Sequence, residues 1–175
     1  MIEIYHIKQK HIYPIFKNGR SSIIRYAKDH EIRPLINGQV KKIDRITVYL
    51  RDPKQRFISG VHSFIGFEKR KTDIDFGTVV HLVGSHGLTN EHFEPQYNWI
   101  KRLAEFFHGD LELLPIDELM KLIDHRIKPA IPDITKEQHE IIGQIQSDLR
   151  ADKALLQFEG RTIPIQTVRE RLDNV

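Results

Sequence analysis

Twice in succession this chain runs from an apolar segment through a short polar loop into an amphipathic stretch, and that repetition limits the fold more than any other feature. In the first unit Tyr13, Ile15 and Phe16 lead into Lys17-Asn18-Gly19-Arg20, after which Ile23, Tyr26 and Ala27 recur on one helical face. In the second, Arg45-Ile46-Thr47-Val48-Tyr49-Leu50 is β-branched and apolar and reads as a buried strand. Asp52 then suits an N-cap and Pro53 a first helical position, with Phe57, Val61 and Phe64 spaced to face a core. A helix between two strands lets them lie parallel, because a parallel pair needs a crossover. The order therefore predicts an α/β fold with strands over residues 12–17 and 45–50.

The first loop has its own chemistry. Gly19 permits a tight turn, and Ser21 or Ser22 is expected to cap the helix. Free N–H groups at a helix start carry partial positive charge and favour an anion. Lys17 adds a full charge at the lip, which makes phosphate or sulfate the natural guest. The spacing is not that of a Walker A motif, since the lysine precedes the glycine. An ordinary βα turn fits this stretch, taken alone, equally well. The second unit repeats the arrangement, placing Arg51 at the carboxyl end of a strand, where open α/β sheets bind ligands. Arg56 and Ser59 share a helix face beyond it.

Charge is bunched rather than large. The net charge is +3, but Arg20, Arg25, Lys28, Arg33, Lys41, Lys42, Arg45, Arg51, Lys54 and Arg56 crowd one third of the chain. Such a face suits a polyanion or an acidic substrate. No helix-turn-helix, RNP or zinc-finger pattern accompanies it, so nucleic acid is not the expected partner. The absence of cysteine excludes disulfides and thiolate metal ligands. No signal-peptide order and no long apolar run appear, so a soluble protein working in the cytoplasm is expected. With 175 residues, 39% of them hydrophobic, one domain over residues 1–175 is expected.

Elsewhere the signals are plainer. Residues 2–8 alternate as an edge strand or half a hairpin. Pro34 ends the first helix at the latest, and Asn37-Gly38 marks a turn. Residues 66–90 read as a long loop, and His81, His86 and His92 match no zinc spacing. A helix follows with Trp99, Ile100, Leu103, Phe106 and Phe107 on its apolar face and Gly109 at its end. Leu111-Glu112-Leu113-Leu114 reads as a third strand and residues 117–123 as a short helix. A linker with Pro129 and Pro132 precedes a capping box at Thr135-Lys136-Glu137-Gln138, which opens a helix carrying Ile141, Ile142, Ile145 and Leu149. Residues 160–175 read as peripheral.

Three of these stretches, in this order, resemble the sulfotransferases that use 3′-phosphoadenosine-5′-phosphosulfate (PAPS), in particular the carbohydrate sulfotransferases. Lys17-Asn18-Gly19-Arg20-Ser21-Ser22 is similar to the family's 5′-phosphosulfate loop, P-K-x-x-x-[ST]-[ST], with Ile15-Phe16 where the proline usually stands. Arg51-Asp52-Pro53-Lys54-Gln55-Arg56-Phe57-Ile58-Ser59 is similar to its 3′-phosphate motif, R-D-P-x-x-R-x-x-S, and His92-Phe93-Glu94-Pro95-Gln96 to H-[WF]-x-P-Q. Asp152 to Phe158 is a fainter echo of its closing helix. The resemblance covers residues 12–158.

It implies a three-layer sandwich with a central parallel sheet, the P-loop-like sulfotransferase fold. It also implies transfer of a sulfuryl group to a hydroxyl of a carbohydrate acceptor, with no metal. Lys17 would then stabilise the leaving phosphate, while Lys17, Asn18, Gly19, Arg20, Ser21 and Ser22 hold the 5′-phosphate. Arg51 and Ser59 would hold the 3′-phosphate, and Arg56 would either join them or pair with Asp52. His92 would be the base, with His30, His62 and His86 as the other candidates. Eukaryotic members usually carry an anchor and cysteines, so a bacterial or viral source is expected. Two further readings stand beside this one, a P-loop-type nucleotide kinase and a non-catalytic module that binds polyanions.

Overall fold

The computed structural model describes residues 2–68, 91–124, 140 and 149–175. Strand β1 (Glu3–Ile7) turns back into β2 (Lys10–Ile12) as an antiparallel hairpin. Lys8 and Gln9 both have positive φ, 44° and 67°, which gives the two-residue turn the twist its strands need. Helix α1 (Arg20–Asp29) follows, then a short β3 (Leu35–Ile36), a 3-10 helix (Asn37–Lys42) and β4 (Arg45–Leu50). Helix α2 (Pro53–Glu68) starts as expected, with the Asp52 carboxylate accepting the Gln55 N–H at 2.8 Å. After it come α3 (Gln96–Leu103), β5 (Asp110–Pro115), α4 (Ile116–Ile123), α5 (Arg150–Leu156), β6 (Arg161–Pro164) and α6 (Ile165–Leu172).

Among the described residues these strands form one sheet in the order β3-β1-β2-β4-β5-β6. Its centre is parallel, β2 with β4 and β4 with β5. The flanks are antiparallel, so the sheet is mixed rather than wholly parallel. Alternation along the strands sends described side chains to both faces of the sheet. Ile46, Val48, Leu50, Leu111 and Leu113 join Ile100 and Leu103 of α3, Leu155 of α5 and Val168 of α6. Tyr5, Ile7, Ile12 and Tyr49 join Ile23 and Ala27 of α1 and Leu119 and Ile123 of α4. Helices thus cover both faces of an α/β sheet.

Several expectations are corrected. The first strand ends at Ile12; the chain continues beside β4, with the Tyr13 N–H on the Thr47 carbonyl at 3.0 Å, and turns at residues 16–19. The helix carrying Trp99 stops at Leu103, and Gly109 instead lies hard against the Asp44 carbonyl, where a side chain would not fit. Residues 160–175 are not peripheral, since β6 completes the sheet and Ile165, Val168 and Leu172 are buried in the larger core. Residues 66–68 belong to α2 rather than to a loop. The rest of that loop, with His81 and His86, the proline linker and the capping box lie outside the described residues.

Candidate functional site

The two polar loops meet at the carboxyl ends of β2 and β4. The first is built around strain. Lys17 is held at φ 67° and Gly19 at φ 80°, so only one of the two left-handed positions is a glycine. Gly19, not a serine, is the N-cap of α1, and no side chain caps this end among the described residues. The first helical bond runs from the Ile23 N–H to the Gly19 carbonyl at 3.0 Å. The N–H groups of Arg20, Ser21 and Ser22 are therefore the exposed positive end of the helix, with no acidic residue in its first turn. The two serines lie inside the helix, Ser21 exposed and Ser22 half-buried.

The second loop reaches over the first. Arg51 Nη1 donates to the Lys17 carbonyl at 3.4 Å. Arg56, on the first turn of α2, is only 1% exposed; its Nε donates to the Phe16 carbonyl at 3.0 Å and its Nη1 to the Glu94 carbonyl. Asp52 is engaged at the helix start instead, so the proposed Arg56–Asp52 pairing gives way to backbone carbonyls. Arg56 Nη2 is buried and has no hydrogen-bond partner among the described residues. Three cations thus converge. Burial pulls the Lys17 ammonium down to about 8, and the charges of Arg51 and Arg56 pull in the same direction. Burial likewise lowers Arg56, to about 10, against the opposing pull of Asp152 and Glu94.

His92 stands beside this cluster. Its ring is edge-on to Phe16, centroids 4.8 Å apart, and to Phe64 at 5.7 Å. Burial and the Lys17 charge hold its pKa below the usual imidazole value, which leaves the ring neutral at neutral pH, as a base must be. Gly60 lets α2 approach closely here, because a Cβ at that position would collide with the His92 carbonyl. Of the expected residues, Lys17, Asn18, Gly19, Arg51, Arg56 and His92 come together. Ser59 is half-buried one turn beyond Arg56 and has no hydrogen bond to the cluster among the described residues. His30 is elsewhere, stacked on Tyr26 at 3.9 Å with Nδ1 against that residue's carbonyl.

In the sequence Gln96 stands out only as the last residue of the stretch similar to H-[WF]-x-P-Q. Its amide lies at the centre of a buried network that also holds Asn18 and Asp152. A glutamine after a proline carries no sequence signal of burial, and the partner that buries it, Asp152, comes from the far end of the chain.

An open cleft of about 430 Å³ lies at the opposite ends of the strands, lined among others by Lys10, Lys42, Arg45 and Glu112. Its charges are mixed and partly paired. Lys10 Nζ is 2.5 Å from the Glu112 carboxylate, which also accepts the Thr47 hydroxyl at 2.6 Å. The cluster at the carboxyl ends, unlike this cleft, has a surplus of positive charge. No cluster of three or more metal-ligating side chains occurs among the described residues, and none of the described helices is long and apolar enough to cross a membrane. No family model, no curated protein and no solved structure matches this chain.

Proposed function

We propose that the protein is a sulfotransferase that moves a sulfuryl group from PAPS to a hydroxyl of a carbohydrate. The observation that carries this reading is the convergence of Lys17, Arg51 and Arg56 beside a helix start that no side chain caps among the described residues. Cations packed together repel one another, and an anionic ligand at the helix start would offset that repulsion. Two loops, each with its own cation, suit a ligand with anionic groups at two places. The order of the three motifs adds to this.

The donor supplies a sulfuryl group already activated by its anhydride bond to phosphate. Lys17 and the N–H groups of Arg20, Ser21 and Ser22 would hold the phosphate end and meet the charge that builds on it as the bond breaks. Arg51, steadied by the Lys17 carbonyl, would hold the second phosphate. His92 would accept the proton of the attacking hydroxyl. Positioning and charge compensation supply most of the acceleration, as in phosphoryl transfer.

Calorimetric titration tests the reading. 3′-Phosphoadenosine-5′-phosphate should bind more tightly than adenosine 5′-phosphate or ATP, and Arg51→Ala should weaken it about tenfold or more. Wild-type protein should also transfer labelled sulfate from PAPS to a member of a broad glycan panel. Indifference to the 3′-phosphate, or ATP binding that requires Mg²⁺, would overturn it.

A further inference from the structure

The two anion loops come from separate strand ends, and nothing in their sequences sets their spacing. Beside the bonds from Arg51 and Arg56 to the first loop, a side chain from a third segment, Gln96, joins them. Gln96 Oε1 accepts the Arg51 N–H at 3.0 Å, and Gln96 Nε2 donates to the Arg51 carbonyl at 2.8 Å. The carboxamide thus acts as a neighbouring strand would, extending the ladder one residue past Leu50, where β4 has left its β5 partner. The same Oε1 accepts Asn18 Nδ2, which also donates to the Tyr49 carbonyl at 2.8 Å. Asn18 lies in the Lys17 loop, so one amide grips both loops.

Gln96 is itself held from the C-terminal side. The Asp152 carboxylate on α5 accepts the Gln96 N–H and the Tyr97 N–H, both at 2.8 Å, and lies 3.4 Å from Gln96 Nε2. It thereby caps α3 across a long sequence separation. Asn18, Gln96 and Asp152 are each at most 1% exposed. In so dry a place each bond restricts geometry, and loss of one partner leaves others unsatisfied.

We propose that Gln96, oriented by Asp152, is a positioning residue that fixes the distance between the Lys17 and Arg51 loops, and so lets one ligand engage both. This rests on the donor reading above. A ligand with two phosphates gains over one with a single phosphate only if the second site is already at the right distance. The clamp therefore sets that gain rather than the affinity of either loop alone.

The test compares 3′-phosphoadenosine-5′-phosphate with adenosine 5′-phosphate by calorimetry on the full chain. Gln96→Met keeps the volume and removes the amide. The expected result is that preference for the bisphosphate falls about tenfold while the monophosphate changes little. Asp152→Asn should shift the preference in the same direction, and it carries the test if Gln96→Met does not fold. Circular dichroism identifies the folded variants. If both ligands weaken by the same factor, Gln96 is only structural and the proposal falls. If wild-type protein shows no preference, the donor reading fails and takes the clamp with it.

Discussion

Lys17 shows how the proposed function and stability oppose each other at a single position. Its ammonium is half-buried beside two guanidinium groups, on a backbone at φ 67°. Folding therefore disfavours its charge, although solvent screens part of the cost. Between about pH 8 and the ordinary lysine value of 10.5 the unfolded chain holds a proton that the folded chain has released, so stability rises with pH across that window. At pH 7 both states are charged and the full cost is present. Lys17→Met should therefore stabilise the protein at pH 7, by ~1 kcal/mol in thermal unfolding. The gain should shrink as pH rises from 8 to 10.5. The same substitution should abolish binding of the bisphosphate. In wild-type protein, affinity should fall by up to about tenfold per pH unit above about 8, as the ammonium is lost.

At the scale of elements, the site depends on how closely α2 lies against the turn before α3. Phe57 and Phe93 meet there with ring centroids 5.9 Å apart, and Gly60 backs onto the His92 carbonyl. Gly60→Ala would raise helix propensity in isolation, by about 1 kcal/mol. Here the added methyl has no room, so the two segments must separate. We expect a net loss of roughly 1–3 kcal/mol in denaturant unfolding and, under the proposed function, a larger fractional loss of sulfuryl transfer than of bisphosphate affinity. That difference arises because the displaced group is His92 rather than the cations.

For the whole molecule, the chain's end matters as much as its beginning. β6 pairs along β5 from Asp110↔Pro164 to Leu113↔Arg161, and α6 adds Val168 and Leu172 to the larger core. Tyr97 of α3 donates its hydroxyl to Asp173 at 2.7 Å, which ties the helix next to the site to the last turn of the chain. A chain cut after Glu159 would expose the β5 edge and this core surface together. It should lose its cooperative unfolding transition in calorimetry, rather than merely unfold at a lower temperature.

The sequence alone determined whatever is local. The run Arg45–Leu50, the Asp52-Pro53 helix start and the glycine after Lys17 each express a short-range preference, so the strand, the helix and the polar loop were legible before any contact was known. Parallel pairing of β2 with β4 followed from the helix between them. Hydrophobic pattern cannot show which edge a short, partly exposed segment joins, and Arg161–Pro164 looks like a tail for that reason. Nor can it show which polar side chains are buried, because burial of Gln96, Asp152 and Arg56 is conferred by partners distant along the chain. The cations were visible as a list in the sequence. Their convergence, the burial of Arg56 and the amide that joins the two loops arise only when the tertiary fold brings separate segments together and removes the water between them.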